Sequence, residues 1–303
     1  MTLCNLASVV ALVLSVSVSL SARAAGSLAS ATVSVARGSD TTGCGAATSP
    51  CKTFQYAFAN AVEVGGTILV LDPGDYGPIS INNAVAIVNA NVGAAGVFTA
   101  NSTGNAIDVN LSGGSGNVVL DGLRIDGAAT GVATKGNGVA MTSGGSLTIR
   151  NCTITNFAAN GMKTGNGVYI APTSGIASYS FSHTSFADNG NGGVFVAPNF
   201  GASGSAGARG VVRNVTMNGA GYGFYAYANN TSAPVVATIE DSVVAWNTNG
   251  VIVRGATANV TVNRVLAQFN KTYDLWNASG VLTSDRTNDF ATRFGSITYT
   301  HLK

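Results

Sequence analysis

The chain has 303 residues, of which 46% are hydrophobic and only 9% charged, with 39 glycines and a formal net charge of +2. This hydrophobic content argues against a disordered chain, and the small net charge gives no electrostatic basis for binding nucleic acid or an acidic membrane. A chain of this length holds one large domain or two ordinary ones.

The chain begins with features typical of an exported protein. Residues 6–20 form an apolar run, which Ala22-Arg23-Ala24 follows as a small-x-small cleavage signal. The run is too short for a membrane span, so residues 1–24 are interpreted as a secretory signal peptide, although the first five residues carry no Lys or Arg. An uncleaved N-terminal anchor is the alternative. We expect a secreted, periplasmic or cell-surface protein without a membrane span in its mature chain.

Residues 25–78 are predicted to form an N-terminal unit with a strand, a cysteine loop and a short helix. Export permits a disulfide, and Cys44 and Cys51 flank a short segment that could close as a small loop. Cys152 instead takes an apolar position in a strand pattern, which is typical of a buried thiol. Neither of the two histidines has metal-ligand spacing to the thiols, so no zinc site is predicted.

A short helix is predicted within this unit from the spacing of four apolar residues. They recur at the i, i+3, i+4 and i+7 positions of one helical face and are Phe54, Ala57, Phe58 and Ala61. Thr53 precedes them as a plausible N-cap. This face should cover the first apolar layer of the structure that follows.

Residues 147–172 contain a unit that recurs along the chain. Leu147 and Ile149 alternate with polar residues, the alternation shifts by one step at Asn151, and a Gly/Asn-rich bend leads to a third apolar strand. Asn tolerates the left-handed backbone of a tight corner. The corner can be followed through Asp121, Asn151, His183, Asn214, Asp241 and Arg264, and the third strand through Val139, Val168, Val194, Phe224 and Val251. Such units cannot bury a face alone, so the pattern predicts a solenoid.

The repeat reads Ile-x-Asn-Cys-x-Ile and then Asn-Gly-Val-x-Ile, and it resembles the repeats of the pectin-lyase-like superfamily. The sequence of residues 33–81 resembles the N-terminal cap of secreted bacterial β-helix proteins. The resemblance implies an all-β fold, a single-stranded right-handed parallel β-helix over residues 79–303, with a short N-terminal capping helix. A cap is physically reasonable because a solenoid exposes its core at each end.

In this superfamily, substrates lie along the outer face of the strand that follows the bend. The outward positions of the first row are Ala140, Tyr169, Phe195, Tyr225 and Ile252, and those of the second row are Thr142, Ala171, Ala197, Tyr227 and Arg254. A further strand at 273–276 would add Asp274 to the first row and Trp276 to the second. Since neighbouring parallel strands lie roughly 4.8 Å apart, Tyr169, Phe195 and Tyr225 would form an aromatic stripe.

Two interpretations of the stripe stay open. It could be a flat platform for sugar rings, with a substrate-binding set of Tyr169, Phe195, Tyr225, Tyr227, Arg254 and Trp276. Alternatively, the segment 197–210 or another protein chain covers it, because an exposed apolar row of this length usually marks an interface. This second interpretation allows an oligomer formed through the stripe.

Catalytic residues are harder to assign. The chain has thirteen acids, and no two fall together on the outward rows, whereas glycoside hydrolysis normally needs two carboxylates facing one site. Pectate-lyase-like members hold calcium with carboxylates. No cofactor is predicted here, and calcium stays an open alternative that no ligand set in the sequence supports. Arg254, Asp274 and Tyr227 are the best catalytic candidates, unless Arg254 and Asp274 form only a surface ion pair.

The sequence therefore predicts a secreted β-helix protein that binds extracellular polysaccharide along the stripe. A polysaccharide lyase with an atypical site, which could use one base and one cation, and a structural or adhesive surface protein are the alternatives.

Overall fold

The computed structural model describes residues 27–98, 104–128 and 133–300. The predicted signal peptide, residues 1–24, lies outside the described residues. Within the described ranges the chain forms 29 β-strands, numbered β1 to β29 in chain order, one α-helix (α1, Phe54–Asn60) and one 3₁₀ turn (Ser112–Gly114). Neither helix of this part of the chain has the length and apolar character needed to cross a membrane.

The strands form three parallel sheets of eleven, nine and nine strands. Sheet I contains β1 (Leu28–Val33), β2 (Val62–Val70), β5 (Val85–Val88), β8 (Asn117–Asp121), β11 (Gly145–Arg150), β14 (Ile176–Ser182), β17 (Gly207–Arg213), β20 (Val235–Glu240), β23 (Ala258–Asn263), β26 (Val281–Asp285) and β29 (Thr298–Thr300). Sheet II contains β3 (Gly74–Asp75), β6 (Ala95–Phe98), β9 (Arg124–Asp126), β12 (Thr153–Thr155), β15 (Ser185–Ala187), β18 (Thr216–Asn218), β21 (Val243–Ala245), β24 (Leu266–Ala267) and β27 (Asp289–Phe290). Sheet III contains β4 (Ile79–Ile81), β7 (Ile107–Val109), β10 (Val139–Met141), β13 (Asn166–Ile170), β16 (Gly192–Val196), β19 (Tyr222–Tyr227), β22 (Asn249–Arg254), β25 (Tyr273–Asn277) and β28 (Arg293–Phe294).

From β2 onward the chain visits sheets I, II and III in turn, which gives one strand per sheet in every turn of a coil. Crossovers between parallel strands are right-handed in nearly all proteins, and this fold is the predicted right-handed parallel β-helix. The first turn begins at β2, so the predicted boundary between residues 78 and 79 falls inside that turn.

The core lies inside the coil, where apolar side chains of successive turns stack directly on one another. Val168, Val194, Phe224 and Val251 occupy the same position of sheet III in four consecutive turns, and all four are fully buried. Each such burial contributes about 1.5–3 kcal/mol. The apolar residues by which the sequence marked the third strand therefore lie inside the coil.

The corners between sheets I and II use left-handed residues, as predicted. Asn151, His183, Asn214, Asp241 and Arg264 all have φ between 49° and 55°. The corner assigned to Asp121 is wrong by one residue, because Asp121 pairs with Arg150 in sheet I and Gly122 adopts the left-handed φ of 72°. Asp121 instead accepts hydrogen bonds from Arg150 Nε and Asn151 Nδ2, both at 2.8 Å.

Buried asparagines join neighbouring turns at the bend between sheets II and III. Asn137 Nδ2 donates to Asn105 Oδ1, and Asn166 Nδ2 donates to Asn137 Oδ1, both at 2.9 Å. A second set near the C-terminal end links Asn247 to Asn270 at 3.2 Å and Asn270 to Asp274 at 2.8 Å. These amides satisfy polar groups that a bend without regular pairing would otherwise leave buried and unpaired.

The N-terminal unit closes the start of the coil. Helix α1 begins at Phe54, and Thr53 caps it by accepting a hydrogen bond from Tyr56 N at 3.2 Å. Phe54 and Ala57 are fully buried, so the predicted apolar face is confirmed. The predicted disulfide joins Cys44 and Cys51, and Cys152 is a buried free thiol.

Candidate functional site

The outer face of sheet III carries the predicted first row in register. Tyr169 pairs with Phe195, and Phe195 pairs with Tyr225, across β13, β16 and β19. Their ring centroids are 5.6 and 5.1 Å apart. Ile252 and Trp276 continue the row on β22 and β25. The strand periodicity and the glycine before each strand thus placed Tyr169, Phe195, Tyr225 and Ile252 correctly. The predicted place of Trp276 in the second row is wrong, because it pairs with Ile252 of the first row.

The three rings of the stripe are nevertheless buried. Tyr169, Phe195 and Tyr225 expose only 7%, 0% and 6% of their surfaces. Phe200, from the segment between β16 and β17, packs edge-on against Phe195 with centroids 5.4 Å apart. The expectation of a flat, exposed platform over these three rings is therefore wrong, and the alternative of a cover from the segment 197–210 describes the fold better.

We call the packed rings outside sheet III the outer aromatic cluster. It consists of Tyr169, Phe195, Phe200, Tyr222, Tyr225 and Tyr227, and Trp276 packs against its edge. Tyr169 and Phe195 are stacked, and the other neighbouring rings meet edge-on or tilted, as aromatic quadrupoles favour. The cluster is thus a second, smaller hydrophobic core on the outside of the coil.

Tyr222 is a member of this cluster that the sequence did not reveal. Its ring lies over Gly192, where even a Cβ atom would come within 1.9 Å of the ring. Its hydroxyl donates to Asn166 Oδ1 at 2.7 Å and so ends the buried asparagine row. Burial raises the pKa of Tyr222 above its ordinary value. Only the pairing of Gly192 with Tyr222 in sheet III could have indicated this contact.

The accessible surface of the cluster is its rim. Phe200, Tyr227 and Trp276 are half-buried, and Arg254 is exposed. Arg254 pairs with Tyr227 in the adjacent turn, and its guanidinium carbon lies 5.8 Å from the Tyr227 ring centroid. Burial raises the pKa of Tyr225, and a hydrogen bond and the positive charge of Arg254 oppose that rise. Among the described residues, Arg254 forms no salt bridge.

Asp274 does not lie on this face, so its predicted pairing with Arg254 is wrong. Leu275 pairs with Val251 and Trp276 with Ile252, which puts Asp274 opposite Gly250, two positions before its predicted place opposite Ile252. Asp274 is only 1% exposed. Its carboxylate accepts hydrogen bonds from Asn270 Nδ2 at 2.8 Å and from Thr292 N and Oγ1 at 2.8 and 2.9 Å. The predicted trio of Arg254, Asp274 and Tyr227 therefore reduces to Arg254 and Tyr227.

These contacts also set the protonation of Asp274. Burial alone would raise its pKa, but the hydrogen bonds from Asn270, Thr292 and the Ala291 backbone hold it below its ordinary value of 3.8. A carboxylate so enclosed has no free oxygen for a proton transfer to a bound substrate. Its role is to fasten the residues after β27 to the bend before β25.

The N-terminal half of the same face is polar rather than aromatic. A groove of about 340 Å³ is lined by Ser80, Ile81, Asn82, Asp108, Asn110 and Thr142. Asp108 pairs with Ala140 in the first outward row and accepts a hydrogen bond from Asn105 Nδ2 at 2.6 Å. It is a single carboxylate, so this groove does not supply the pair that glycoside hydrolysis needs.

The described residues do not fit the calcium site that the resemblance implies. Within the described ranges, no three His, Cys, Asp or Glu side chains come together in a way that could hold a metal ion. Calcium prefers six to eight oxygen ligands, carboxylates foremost. No catalytic step through calcium is therefore derived for this chain.

Comparisons with known proteins agree with the fold. No protein-family model matches the chain, and no curated protein matches it significantly in sequence. Among solved structures, the chain is similar to pectate lyase Pel9A, with a TM-score of 0.59 and 17% sequence identity, over 90% of this chain and 74% of that chain. At this identity the similarity establishes the right-handed parallel β-helix and does not assign an activity.

Proposed function

We propose that the protein binds an extracellular polysaccharide across the C-terminal half of the outer face of sheet III. The contact residues are Tyr227, Arg254 and Trp276. The observation that carries the proposal is the exposed Arg254 guanidinium, which has no salt bridge among the described residues and lies 5.8 Å from the ring centroid of the half-buried Tyr227. The half-buried Trp276 lies on the next turn, opposite Ile252.

This arrangement suits the chemistry of a sugar chain. The apolar C–H face of a pyranose ring can stack on Tyr227 or Trp276. The guanidinium presents several N–H donors in a fixed plane, which match sugar hydroxyls and, better, the carboxylate of an acidic sugar. The fold similarity to a protein named as a pectate lyase makes an acidic polysaccharide the first polymer to test.

The buried rings then act as positioning residues. Tyr225 meets the Tyr227 ring edge-on with centroids 5.9 Å apart, and Phe200 does so at 5.2 Å. Tyr169 and Phe195 support these rings from the preceding turns. Of the six residues predicted to bind substrate, Tyr227, Arg254 and Trp276 are proposed to contact the ligand. The other three, Tyr169, Phe195 and Tyr225, are proposed to hold the contact residues in position.

Binding without cleavage is the better supported form of the proposal. In the described structure, Arg254 is not accompanied by an accessible carboxylate, because Asp274 is enclosed. Acid–base cleavage of a glycosidic bond would need a second group at that position. A lyase with an atypical site therefore has no observation of its own to favour it.

Affinity electrophoresis tests this proposal. The protein is run through gels that contain polygalacturonate, xylan or a neutral glucan, beside Tyr227→Ala/Arg254→Ala. Retardation by one polymer should fall in the double variant, with an association constant lower by about tenfold or more, which corresponds to roughly 1.4 kcal/mol.

Arg209→Ala is the matched control, because Arg209 is an exposed arginine on sheet I. It removes the same charge from another face and should leave retardation unchanged. Equal retardation of the wild type and the double variant would contradict the proposed site. Failure of all three polymers to retard the wild type would favour a structural or adhesive role instead.

A further inference from the structure

A second row of residues runs along the coil where the chain leaves sheet II. In five consecutive turns, a residue one or two positions after the sheet II strand has a left-handed backbone, with φ from 55° to 69°. These residues are Asn156, Asp188, Gly219, Trp246 and Phe269. Asn, Asp and Gly adopt this conformation at low cost, whereas a bulky aromatic residue there is a genuine outlier.

Packing does not explain the two aromatic residues. Trp246 and Phe269 expose 63% and 66% of their surfaces. Their rings are nearly parallel, with an angle of 11° and centroids 5.9 Å apart. Left-handed backbone in non-glycine residues persists where other structure enforces it and concentrates at ligand sites. Two adjacent turns thus hold exposed aromatic rings on a backbone that disfavours them.

The same row contains a free carboxylate, that of Asp188, and only Gly219 separates Asp188 from Trp246 in the row. A Cβ atom on Gly219 would come within 2.2 Å of Asp188 Oδ1, so the carboxylate lies over Gly219, on the side of the row that leads to Trp246. The carboxylate of Asp188 has no ion pair or hydrogen bond among the described residues. Gly219 itself leaves the position between Asp188 and Trp246 without a side chain.

We propose that Trp246, Phe269 and Asp188 form a second carbohydrate-binding site, which holds sugar rings of a chain lying along the coil axis. The flat indole and phenyl rings would take the apolar faces of pyranose rings. Asp188 would accept hydrogen bonds from sugar hydroxyls, and these charge-assisted bonds are stronger than neutral ones.

The neighbouring side chains favour a hydroxylated ligand over a cationic peptide. Thr216 and Asn218 on β18 and Val243 on β21 are the outward, uncharged residues beside this row. A site for a basic peptide would gain from several carboxylates, whereas neutral hydrogen-bonding groups suit sugar hydroxyls. This site shares no residue with the outer aromatic cluster and does not depend on the proposed function of that face.

The two tryptophans of the chain, Trp246 and Trp276, allow a direct test. Trp276→Phe leaves Trp246 as the sole indole, and its emission is followed during titration with cellohexaose, xylohexaose and hexagalacturonate. At least one hexasaccharide should change the emission saturably, and Asp188→Ala in the same background should weaken that binding by about tenfold. Emission that none of the three changes would overturn the proposal.

A second variant keeps the test independent of how Trp276→Phe folds. Trp246→Asn/Phe269→Asn places residues suited to the left-handed backbone in an otherwise native chain. It should keep a thermal midpoint at or above that of the wild type and weaken retardation by the same sugar polymer in affinity gels. A clearly lower midpoint would show that the pair is structural, and unchanged retardation would show that the pair does not bind; either result would overturn the proposal.

These results separate the two sites. Loss of retardation in Tyr227→Ala/Arg254→Ala alone would support only the face of sheet III. Loss in Trp246→Asn/Phe269→Asn alone would support only the second site and contradict the proposed function.

Discussion

The molecule carries two sets of aromatic rings on its outside, and they differ in burial and in backbone conformation. The outer aromatic cluster on sheet III is built around Phe195, which is fully buried beneath Phe200. The pair Trp246 and Phe269 after sheet II is largely exposed and has left-handed backbone. In the first set, packing explains the rings; in the second, it does not.

This difference shows how an outward aromatic row should be interpreted. Strand periodicity tells which side of a sheet a ring faces, but it does not tell what covers that side. Rings that cover one another stabilise the fold and leave only their rim for a ligand. Rings that stay exposed in a costly backbone conformation add little stability, so their presence needs another explanation.

The largest expected effect comes from removing the centre of the buried set. Phe195→Ala should lower the free energy of unfolding by about 3–5 kcal/mol, because it leaves a cavity among tightly packed rings. Phe269→Ala removes the same ring from an exposed position and should cost about 1 kcal/mol or less, chiefly the stack with Trp246. Denaturant unfolding of both variants measures the difference. Equal losses would contradict the division into buried and exposed sets.

Two carboxylates allow the same comparison between a buried and an exposed group, since Asp274 is enclosed and Asp188 is exposed. Asp274→Asn should cost about 2–3 kcal/mol, because a charged acceptor of several hydrogen bonds is lost, and Asp188→Asn should leave stability unchanged. Unfolding free energies of the two variants at neutral pH test this. A stable Asp274→Asn variant would show that the enclosure of Asp274 contributes little.

The pH dependence of stability follows from the lowered pKa of Asp274. The folded pKa lies below the ordinary value of 3.8, so the stabilisation is fully present above that value and is lost as pH falls through the folded pKa. Wild-type stability should therefore fall on acidification below about pH 4 more steeply than that of Asp274→Asn. Denaturant midpoints measured between neutral and acidic pH provide the check. Parallel pH profiles would contradict this assignment.

The smallest stability effect is expected for Trp246→Asn. Relief of the left-handed strain, about 1–3 kcal/mol, should offset the lost stack with Phe269, about 0.5–1.5 kcal/mol. The variant should thus be as stable as the wild type or slightly more so. Thermal unfolding beside Trp246→Ala, which also loses the stack but fits the backbone less well, isolates the conformational contribution. A marked loss in Trp246→Asn would mean that the ring is needed for folding.

Much of the fold could be predicted from the sequence because its repeat is regular. A period of two within strands and glycines before each third strand fixed the register of Tyr169, Phe195, Tyr225 and Arg254. The strand at Tyr273–Asn277 lacks that glycine–apolar start, so nothing in the sequence fixed its register, and Asp274 was placed on the wrong face.

The surface of the site was harder to predict for a different reason. Phe200 lies in a segment outside the strands, where no periodicity indicates which way a side chain turns. The contact of Tyr222 with Gly192 depends on packing across turns. Exposure of Trp246 and Phe269 likewise depends on which segments outside the strands lie near them, and a repeat pattern does not encode that. The sequence thus predicted the rows of residues, and the structure was needed to show which of them reach solvent.

The central claim is that the rim at Arg254 and Trp276 binds sugar, and one measurement addresses it most directly. In Trp246→Phe, Trp276 is the sole indole, and its emission is titrated with the hexasaccharide of the polymer that retards the wild type. We expect a saturable change in Trp276 emission that Arg254→Ala weakens by about tenfold. A polymer that retards the protein while its hexasaccharide leaves Trp276 emission unchanged would contradict the proposed site.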